Sequence, residues 1–501
     1  MLKLSENRFI RFPYKIAKIM VKIAFVFAAV LGILTFSICI IMGHRIISFD
    51  ADPAKAALVR SAADEGKIAY KLTTPEEFKA LFGIPVMETT VDHSAGIHKI
   101  FLDYRGFYAV FQTVALQTTE NSVPLTLREV MLSDKSISIG MFRIPLGGRR
   151  VDIGIFRPLV LRNENDLVRM DPFEGLAGNI KNVSLANLDL KDHAKLLDKM
   201  RFDSRTEWPE PNKMPEGFDP ARLLEEGKNP GLGIRSLHEQ GIDGRGVGIA
   251  IIDQPLLKNH QEYAEQLVMY KAMDLQARFA SPQMHGPAVA SIALGKTCGV
   301  APKSVLYFFA TSPGFEQWYK VINKIIQLNE TTEVSEKIRV VSISAGRFSQ
   351  QPNFSLWKEA LKKAEQHGIL IVTCDRSVLN YGTLTRLSDK NPDDPHSYRR
   401  GMFGDAGTVL WVPTGNRTTA CWRGVDLYTY EREGGMSWGA PYLAGLAALA
   451  YQVDPKIEPN TIIELWLRTA VHTEVGPVVN PKGFIKSVGE IRNQTDSNYM
   501  K

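Results

Sequence analysis

The chain has 501 residues, of which 45% are hydrophobic and 23% are charged, a composition typical of globular proteins. Its formal net charge of +6 is concentrated in residues 1–22, which carry six basic residues and one acidic residue, so the rest of the chain is close to neutral. This distribution argues against a nucleic-acid-binding protein, which needs a basic surface to neutralise phosphates.

The first predicted element is a membrane-spanning helix at residues 23–43, an uncharged apolar stretch long enough to cross a bilayer's hydrocarbon core. A cleaved signal peptide is the alternative. Its apolar region would be shorter and would end in a small-residue cleavage site, which FSICIIMGHR lacks. The basic residues 1–22 predict a cytoplasmic tail, with the rest of the chain outside the cytoplasm. The sequence thus predicts a single-pass membrane protein with an extracytoplasmic catalytic domain.

Two regions follow the apolar segment before the pattern becomes regular. Residues 50–205 mix helical and strand-like stretches and predict a small mixed α+β region of unknown fold. Residues 206–235 contain WPEPNKMPEGFDP, whose four prolines disfavour a continuous helix or a central strand. These residues therefore predict a proline-rich linker or an extended wrap.

From residue 236 to residue 490, short apolar runs alternate with longer helical segments. The runs predicted as buried strands are VGIAII (247–252), VLYFF (305–309), IRVVSIS (338–344), ILIVT (369–373) and VLWV (409–412). Between them, SLWKEALKKAEQHG predicts a helix with Ser355 as its N-cap and Gly368 just past its end. Because parallel strands need crossover connections, the alternation predicts a three-layer, doubly wound α/β fold. Residues 491–501 are predicted to be a C-terminal tail.

Three polar residues lie where such a fold would hold an active site, beyond the carboxyl ends of its strands. Asp253 directly follows VGIAII, and His285 opens the small-residue segment HGPAVASIALG. Ser437 lies in GGMSWGAPYLAGLAALA, predicted as a closely packed helix with Pro441 in its first turn. A hydroxyl becomes a nucleophile when a base lies within hydrogen-bond reach and a third group orients that base. Asp253, His285 and Ser437 supply these three roles.

The chain order Asp, His, Ser resembles that of the subtilisin-like serine proteases, or subtilases. GVGIAIIDQPLLKNHQEY, HGPAVASIALGKTCGVAP and GGMSWGAPYLAGLAALA resemble the aspartate, histidine and serine segments of that family, and EPNTIIELWLRTA resembles a later helix. VVSISAG resembles the family's strand beside the peptide substrate, which implies substrate-binding roles for Ser344, Ala345 and Gly346. The resemblance spans about residues 236–475. It implies a subtilisin-like fold and a serine endopeptidase acting on peptides or proteins.

The sequence also departs from the family pattern. The departures beside the three candidate residues are Gln254, Pro255, Ala288 and Met436. The asparagine that contributes to the family's oxyanion hole has no clear counterpart: Ser377 lies nearest its position and Asn380 lies three residues beyond, so both are candidate oxyanion donors. The family often binds calcium, but the sequence does not place a calcium site, and no cofactor motif or clustered metal ligands are evident.

The four cysteines leave the disulfide pairing open. Cys39 lies inside the apolar segment, and Cys298, Cys374 and Cys421 lie beyond it, which allows one disulfide or none. Their spacing matches no common metal site.

Two other functions stay open at the level of the sequence. A binding protein built on a degenerate subtilase fold is motivated by the missing asparagine and by Gln254 and Pro255. GMSWG also fits the GxSxG pattern of α/β-hydrolase esterases, but that fold places its acid and its histidine after the serine. The candidates available there are Asp454, His472 and Asp496.

Overall fold

A computed structural model describes residues 47–48, 53–65, 67–68, 73–93, 97–104, 107–114, 126–132, 136–139, 142–145, 149–150, 159–170, 178–331, 337–346 and 351–499. The predicted cytoplasmic tail and the predicted membrane-spanning helix, residues 1–22 and 23–43, lie outside this part of the chain. Within it, no helix combines the length and the apolar character that a membrane crossing requires. The chain forms two compact units, Met1–Leu159 and Val160–Lys501. Their boundary falls inside the region predicted at residues 50–205.

The first unit contains both helices and strands. Its helices are Pro53–Asp64 and Pro75–Phe82. Its strands are Ile47–Ser48, Met87–His93, Ile97–Asp103, Phe107–Val114, Thr126–Leu132, Ser136–Ile139, Phe142–Pro145 and Arg149–Arg150. A capping box starts the second helix, because the Thr74 hydroxyl accepts from the Glu77 amide while the Glu77 carboxylate accepts from the Thr74 amide. The buried Phe78 of this helix packs edge-on against Phe111 of the sheet.

The second unit is built around a five-stranded parallel sheet. Its strands are β1 (Gly248–Asp253), β2 (Leu267–Ala272), β3 (Val305–Ala310), β4 (Ile338–Ile343) and β5 (Leu370–Thr373), in the spatial order β2-β3-β1-β4-β5. β1 lies in the middle and is buried at every position, which fits the apolar sequence that precedes Asp253. The predicted parallel sheet is confirmed, and the carboxyl ends of all five strands meet at one edge.

Seven helices accompany this sheet within the described residues of the second unit from Gly248 onward. They are α1 (Leu275–Phe279), α2 (His285–Leu294), α3 (Phe315–Thr331), α4 (Phe354–Gln366), α5 (Met436–Val453), α6 (Pro459–Arg468) and α7 (Pro481–Tyr499). Alternate residues of β1 point into different cores: Ile249 and Ile251 pack with α2 and α5, whereas Ala250 and Ile252 pack with α3 and α4. The predicted three-layer α/β arrangement is therefore confirmed.

Further strands extend the unit beyond β5. They are β6 (Tyr381–Arg386), β7 (Tyr398–Arg400), β8 (Leu410–Gly415), β9 (Arg417–Ala420), β10 (Tyr428–Glu431), β11 (Val471–Thr473) and β12 (Gly476–Val478). β6 and β8 pair in parallel and belong to a second five-stranded sheet of order β7-β6-β8-β12-β11. β9 and β10 form an antiparallel hairpin, and β10 leads into the segment that carries Ser437.

The residues before β1 also pack into this unit. Their helices are Glu164–Arg169, Ala194–Leu197, the 3-10 helix Pro211–Lys213, Pro220–Glu226 and Ile234–Glu239, and their strands are Gly178–Asn179, Val183–Ser184 and Met200–Asp203. The short strand Leu159–Val160 falls at the boundary of the two units. Met200–Asp203 pairs antiparallel with β10. We call residues 178–218 the strap. Residues 206–235, predicted as a proline-rich linker or an extended wrap, contain the 3-10 helix Pro211–Lys213 and the helix Pro220–Glu226.

Two local expectations differ from the structure. Residues 491–501 were expected to be a tail, but α7 continues to Tyr499 because Ile491 packs on the core and the Arg492 guanidinium donates to the Val453 carbonyl at 2.9 Å. Pro441 is the sixth residue of α5, so it lies in the second turn instead of the first. Its missing amide hydrogen leaves the carbonyl of Ser437, four residues earlier, without its usual helical partner.

Candidate active site

Asp253 and His285 meet at the edge of the sheet where β1 ends. The His285 Nδ1 lies 2.7 Å from the Asp253 Oδ1, and the same oxygen accepts from the Gln254 amide at 2.7 Å. His285 is the first residue of α2. The next residue, Gly286, allows the close approach, because a Cβ there would lie 2.4 Å from the Gln254 carbonyl oxygen. The HG pair in the sequence is therefore what brings the imidazole against the end of β1.

The surroundings of His285 raise the pKa of its imidazole. Burial by itself would lower this pKa, but the negative charge of Asp253 and the hydrogen bond to it outweigh burial. The Asp253 side chain is only 5% exposed and that of His285 is 19% exposed. The pair can therefore hold the imidazole in one orientation and stabilise its protonated form.

Ser437 lies in the first turn of α5, which contacts His285 through Trp438. The ring of the next residue, Trp438, contacts the His285 ring edge-on, with 5.4 Å between their centroids. The Ser437 Oγ donates to the Ser344 carbonyl at 3.1 Å, and the Ser344 Oγ donates to the Ser437 carbonyl at 2.8 Å. The second bond uses the carbonyl that Pro441 leaves unpaired. Ser437 is thus fixed to the end of β4, and its single hydroxyl proton is directed to Ser344.

Two further residues contact this segment, and sequence reasoning did not single them out for the site. The Cys374 thiol interacts with the Ser437 hydroxyl, and burial raises the pKa of this thiol to about 11. The Tyr381 hydroxyl donates to the Met436 carbonyl at 2.8 Å and to the Cys374 Sγ at 3.4 Å. Cys374 directly follows β5, so the rule that picked Asp253 after its strand could have found it.

The two candidate oxyanion donors use their hydrogens elsewhere. The Ser377 Oγ donates to the Asp375 Oδ1 at 2.8 Å, and the Asn380 Nδ2 donates to the Gly407 carbonyl at 2.7 Å. The Ser377 side chain is exposed and the Asn380 side chain is half-buried. The backbone amide of Ser437 lies in the first turn of α5, where amide groups have no intrahelical partner.

The candidate substrate-binding residues Ser344, Ala345 and Gly346 follow β4 directly. The Ala345 carbonyl accepts from the Thr373 hydroxyl at 2.6 Å and from the Cys374 amide at 3.2 Å. A Cβ on Gly346 would lie 2.9 Å from the Cys374 carbonyl oxygen. The three residues are therefore held against the end of β5, close to Ser437.

The described residues offer little support for an esterase site, a disulfide or a metal site. Ser437 is the second residue of α5 and Asp454 is its C-cap, so the two lie about 25 Å apart at 1.5 Å of rise per residue. Cys298, Cys374 and Cys421 are all free thiols. In the part of the chain that the structure describes, no group of three or more His, Cys, Asp or Glu side chains is arranged to hold a metal ion.

Comparison with known proteins points to one family. The family model described as the subtilase family, Peptidase_S8, matches residues 244–376, about a quarter of the chain. This match contains Asp253 and His285, and Ser437 lies beyond it. It supports the subtilase family for the segment that holds the acid and base candidates.

Curated proteins with similar sequences are named subtilisin-like proteases. Subtilisin-like protease 2 of Trichophyton verrucosum is 24% identical over 232 residues, which cover 44% of this chain and 53% of that protein. Subtilisin-like protease PopC of Myxococcus xanthus is 27% identical over 290 residues, which cover 48% of this chain and 58% of that protein. The chain therefore spans about half the length of the curated relatives it matches. The crystal structure of the A-subunit of the AB5 toxin from E. coli aligns with a TM-score of 0.42 at 15% identity, over 52% of this chain and 98% of that one.

Proposed function

We propose that the chain is a serine endopeptidase that hydrolyses peptide bonds with Ser437 as nucleophile, His285 as general base and acid, and Asp253 as the residue that orients the imidazole. The observation that carries the proposal is the 2.7 Å bond between Asp253 and His285, with Trp438 bringing the Ser437 turn against the imidazole ring. The match of the subtilase family to residues 244–376 supports the same reaction class.

The chemistry follows from these positions. Rotation of the Ser437 side chain breaks its bond to the Ser344 carbonyl and turns the hydroxyl toward His285. As the Oγ attacks the scissile carbonyl, its proton passes to His285, and Asp253 stabilises the imidazolium without taking the proton. His285 then donates that proton to the leaving amine, and water releases the acyl group by the same steps in reverse.

The negative oxygen of the tetrahedral intermediate needs hydrogen-bond donors. We assign the backbone amide of Ser437, in the first turn of α5, to this role, because amides at a helix start have no intrahelical partner. Ser377 and Asn380 remain candidates for a side-chain donor once their present bonds are released. The peptide substrate lies along Ser344, Ala345 and Gly346 in this proposal.

Membrane attachment is part of the same proposal. Residues 23–43 anchor the chain, with residues 1–22 in the cytoplasm and the catalytic unit outside it, on the basis of the apolar length and the basic flank. We expect the chain to stay with membranes after an alkaline carbonate wash. Its release into the soluble fraction would contradict the anchor and leave the catalytic proposal intact.

A fluorophosphonate probe tests the nucleophile. Ser437 Oγ should displace fluoride from phosphorus and form a stable phosphonyl ester, which mass spectrometry locates on the peptide that contains Ser437. Ser437→Ala should abolish both the label and the cleavage of a peptide library, while Ser388→Ala, a change on the loop after β6, should keep both. Labelling of Ser437→Ala at the wild-type rate would refute the assignment.

One observation favours a second function, an inactive binding protein on the same fold. The Ser437 hydroxyl donates to Ser344, and both Ser377 and Asn380 are hydrogen-bonded elsewhere. A peptide-library digest separates the two functions. An inactive protein would bind peptides reversibly, release no fragments and leave the fluorophosphonate probe unreacted.

A further inference from the structure

The short segment between β10 and Ser437 is held along its length. β10 ends at Glu431, and Ser437 follows six residues later. Near its carboxyl end, the Thr414 hydroxyl donates to the Gly434 carbonyl at 3.1 Å and the Tyr381 hydroxyl donates to the Met436 carbonyl at 2.8 Å. These two contacts come from β8 and β6. Glu433, in the middle of the segment, accepts from the Thr385 hydroxyl at 2.7 Å and pairs with Arg399. At the amino end, the side chains of Glu431 and Arg432 contact the strap.

Glu431 is the first point at which the strap holds this segment. Its carboxylate is 5% exposed and pairs with Lys181 at 3.0 Å and with Arg201 at 3.7 Å, one cation on each oxygen. Both cations belong to the strap. A carboxylate buried to this degree is costly without such partners, so Glu431 links the end of β10 to the strap strongly.

Arg432 is the second point and lies one residue closer to Ser437. It is only 4% exposed. Its Nε donates to the Met200 carbonyl and its Nη2 to the Leu197 carbonyl, both at 3.3 Å. The Arg432 carbonyl accepts from the Asn416 amide at 2.9 Å. The guanidinium therefore fastens the segment to the strap backbone, while the main chain of Arg432 is fixed to the residue after β8.

We propose that the strap positions the nucleophile: through Glu431 and Arg432 it sets the path of residues 432–436 and hence the place of Ser437 relative to His285. This inference rests on the proposed function. Glu431 and Arg432 are positioning residues, since they act through the chain that precedes Ser437. A consequence is that any processed form that retains activity keeps residues 178–218, so its new N-terminus lies before residue 178.

The test compares Arg432→Met and Arg432→Lys with the wild-type full chain, and adds Lys486→Met as a control on an exposed helix face, where the Lys486 side chain is 79% exposed. Arg432→Met removes the two hydrogen bonds to the strap and the ion pair with Asp198 at 3.7 Å. It should lower kcat for a peptide substrate by about tenfold or more, because small misplacements of a reacting group reduce rates steeply. KM should change by less than about threefold, since the proposed substrate-binding residues Ser344, Ala345 and Gly346 stay in place. Arg432→Lys, which keeps one donor, should recover part of kcat, and Lys486→Met should match the wild type.

Folding is measured on the same samples, because a buried arginine contributes to stability as well. Assays run well below the midpoint of thermal unfolding, and kcat is divided by the fraction that a fluorophosphonate probe can label to completion. Wild-type kcat in folded Arg432→Met, or a loss fully explained by unfolded protein, overturns the proposal.

Hydrogen exchange supplies a readout that does not need catalysis. Peptides that cover residues 432–440 should exchange faster in Arg432→Met and in Glu431→Gln than in the wild type, while peptides from β1 should not change. Equal exchange in those peptides contradicts the positioning role. If the wild type neither cleaves peptides nor reacts with the probe, the proposed function fails, and the exchange data still decide whether the strap fixes the Ser437 segment.

Discussion

The two halves of the proposed triad are held in different ways. Asp253 and His285 lie 32 residues apart on β1 and α2, and one hydrogen bond of 2.7 Å joins them directly. Ser437 depends on a preceding segment whose partners include Lys181, 250 residues away from Glu431 in the chain. The acid and base therefore form a local pair, whereas the nucleophile is placed by distant parts of the unit. We expect these halves to respond differently to substitution.

The largest effect should come from breaking the local pair. Asp253→Asn keeps the size of the side chain but allows its amide to donate to His285 Nδ1, which favours the wrong tautomer of the imidazole. We expect kcat to fall by about 10⁴-fold with the fold unchanged. Initial rates on a peptide substrate and circular dichroism check this. Asp389→Asn is the matched control, since that side chain is 78% exposed, and undiminished turnover in Asp253→Asn would remove Asp253 from its role.

A smaller effect should come from a substitution that displaces only the segment before Ser437. A Cβ on Gly434 would lie 2.1 Å from the Thr414 carbonyl oxygen, whereas a Cβ on the adjacent Gly435 meets nothing closer than 3.8 Å. Gly434→Ala must therefore shift the segment before Ser437, and we expect kcat/KM to fall by about a hundredfold. Gly435→Ala should stay within a few-fold of the wild type.

The measurement is kcat/KM for both variants, together with the pH dependence of each. The acid–base pair is untouched in Gly434→Ala, so the pH profile should keep its wild-type midpoint while its height falls. Equal rates for the two alanine variants would show that the chain before Ser437 tolerates displacement, and the contrast between the halves would disappear.

The pair of Asp253 and His285 is also the part of the candidate site that the sequence predicts well. The run VGIAII was expected at 247–252 and β1 occupies Gly248–Asp253, because a fully buried central strand needs an apolar residue at nearly every position. The helix expected between Ser355 as N-cap and Gly368 corresponds to α4, Phe354–Gln366, although its N-cap is Asn353 and Ser355 lies inside the helix. Asp253 and His285 each adjoin such an element, so local pattern alone was enough to propose them as neighbours.

The contacts that place Ser437 leave no comparable pattern in the sequence. The pairing of Met200–Asp203 with β10 joins residues more than 200 positions apart, and strand pairing of that kind leaves no period in the sequence. The four prolines predicted a linker or an extended wrap, but they did not indicate which residues it would contact. The position of Pro441 depended on where α5 begins, and a shift of the helix start moved it from the first turn to the second.

A substitution at Tyr381, which contacts the segment before Ser437, should change stability modestly. Tyr381 is buried, and its hydroxyl donates to the Met436 carbonyl at 2.8 Å. Tyr381→Phe leaves that carbonyl without this donor, and we expect the free energy of unfolding to fall by about 1–3 kcal/mol. Urea unfolding followed by fluorescence measures the change. Tyr428→Phe, whose hydroxyl bonds the Glu262 carboxylate away from Ser437, separates loss of stability from loss of activity.

The smallest expected effect is a shift of the pH profile. His285 must be neutral to accept the Ser437 proton, so kcat/KM should rise with pH through the pKa of His285 in the free enzyme. Because Asp253 raises that pKa in spite of burial, the midpoint should lie above the ordinary imidazole value of 6.5. In Asp253→Asn only burial remains, and the midpoint of the residual activity should move to lower pH.

The same shift acts on stability with the opposite sign. A pKa that is raised on folding means that the folded chain holds the His285 proton more tightly than the unfolded chain does. The stabilisation is complete below the unfolded pKa and is lost as pH rises through the folded one, over the interval in which activity appears. The wild type should thus lose a little more unfolding free energy than Asp253→Asn as pH rises through this interval. Parallel stability profiles for the two proteins would mean that Asp253 does not control the protonation of His285.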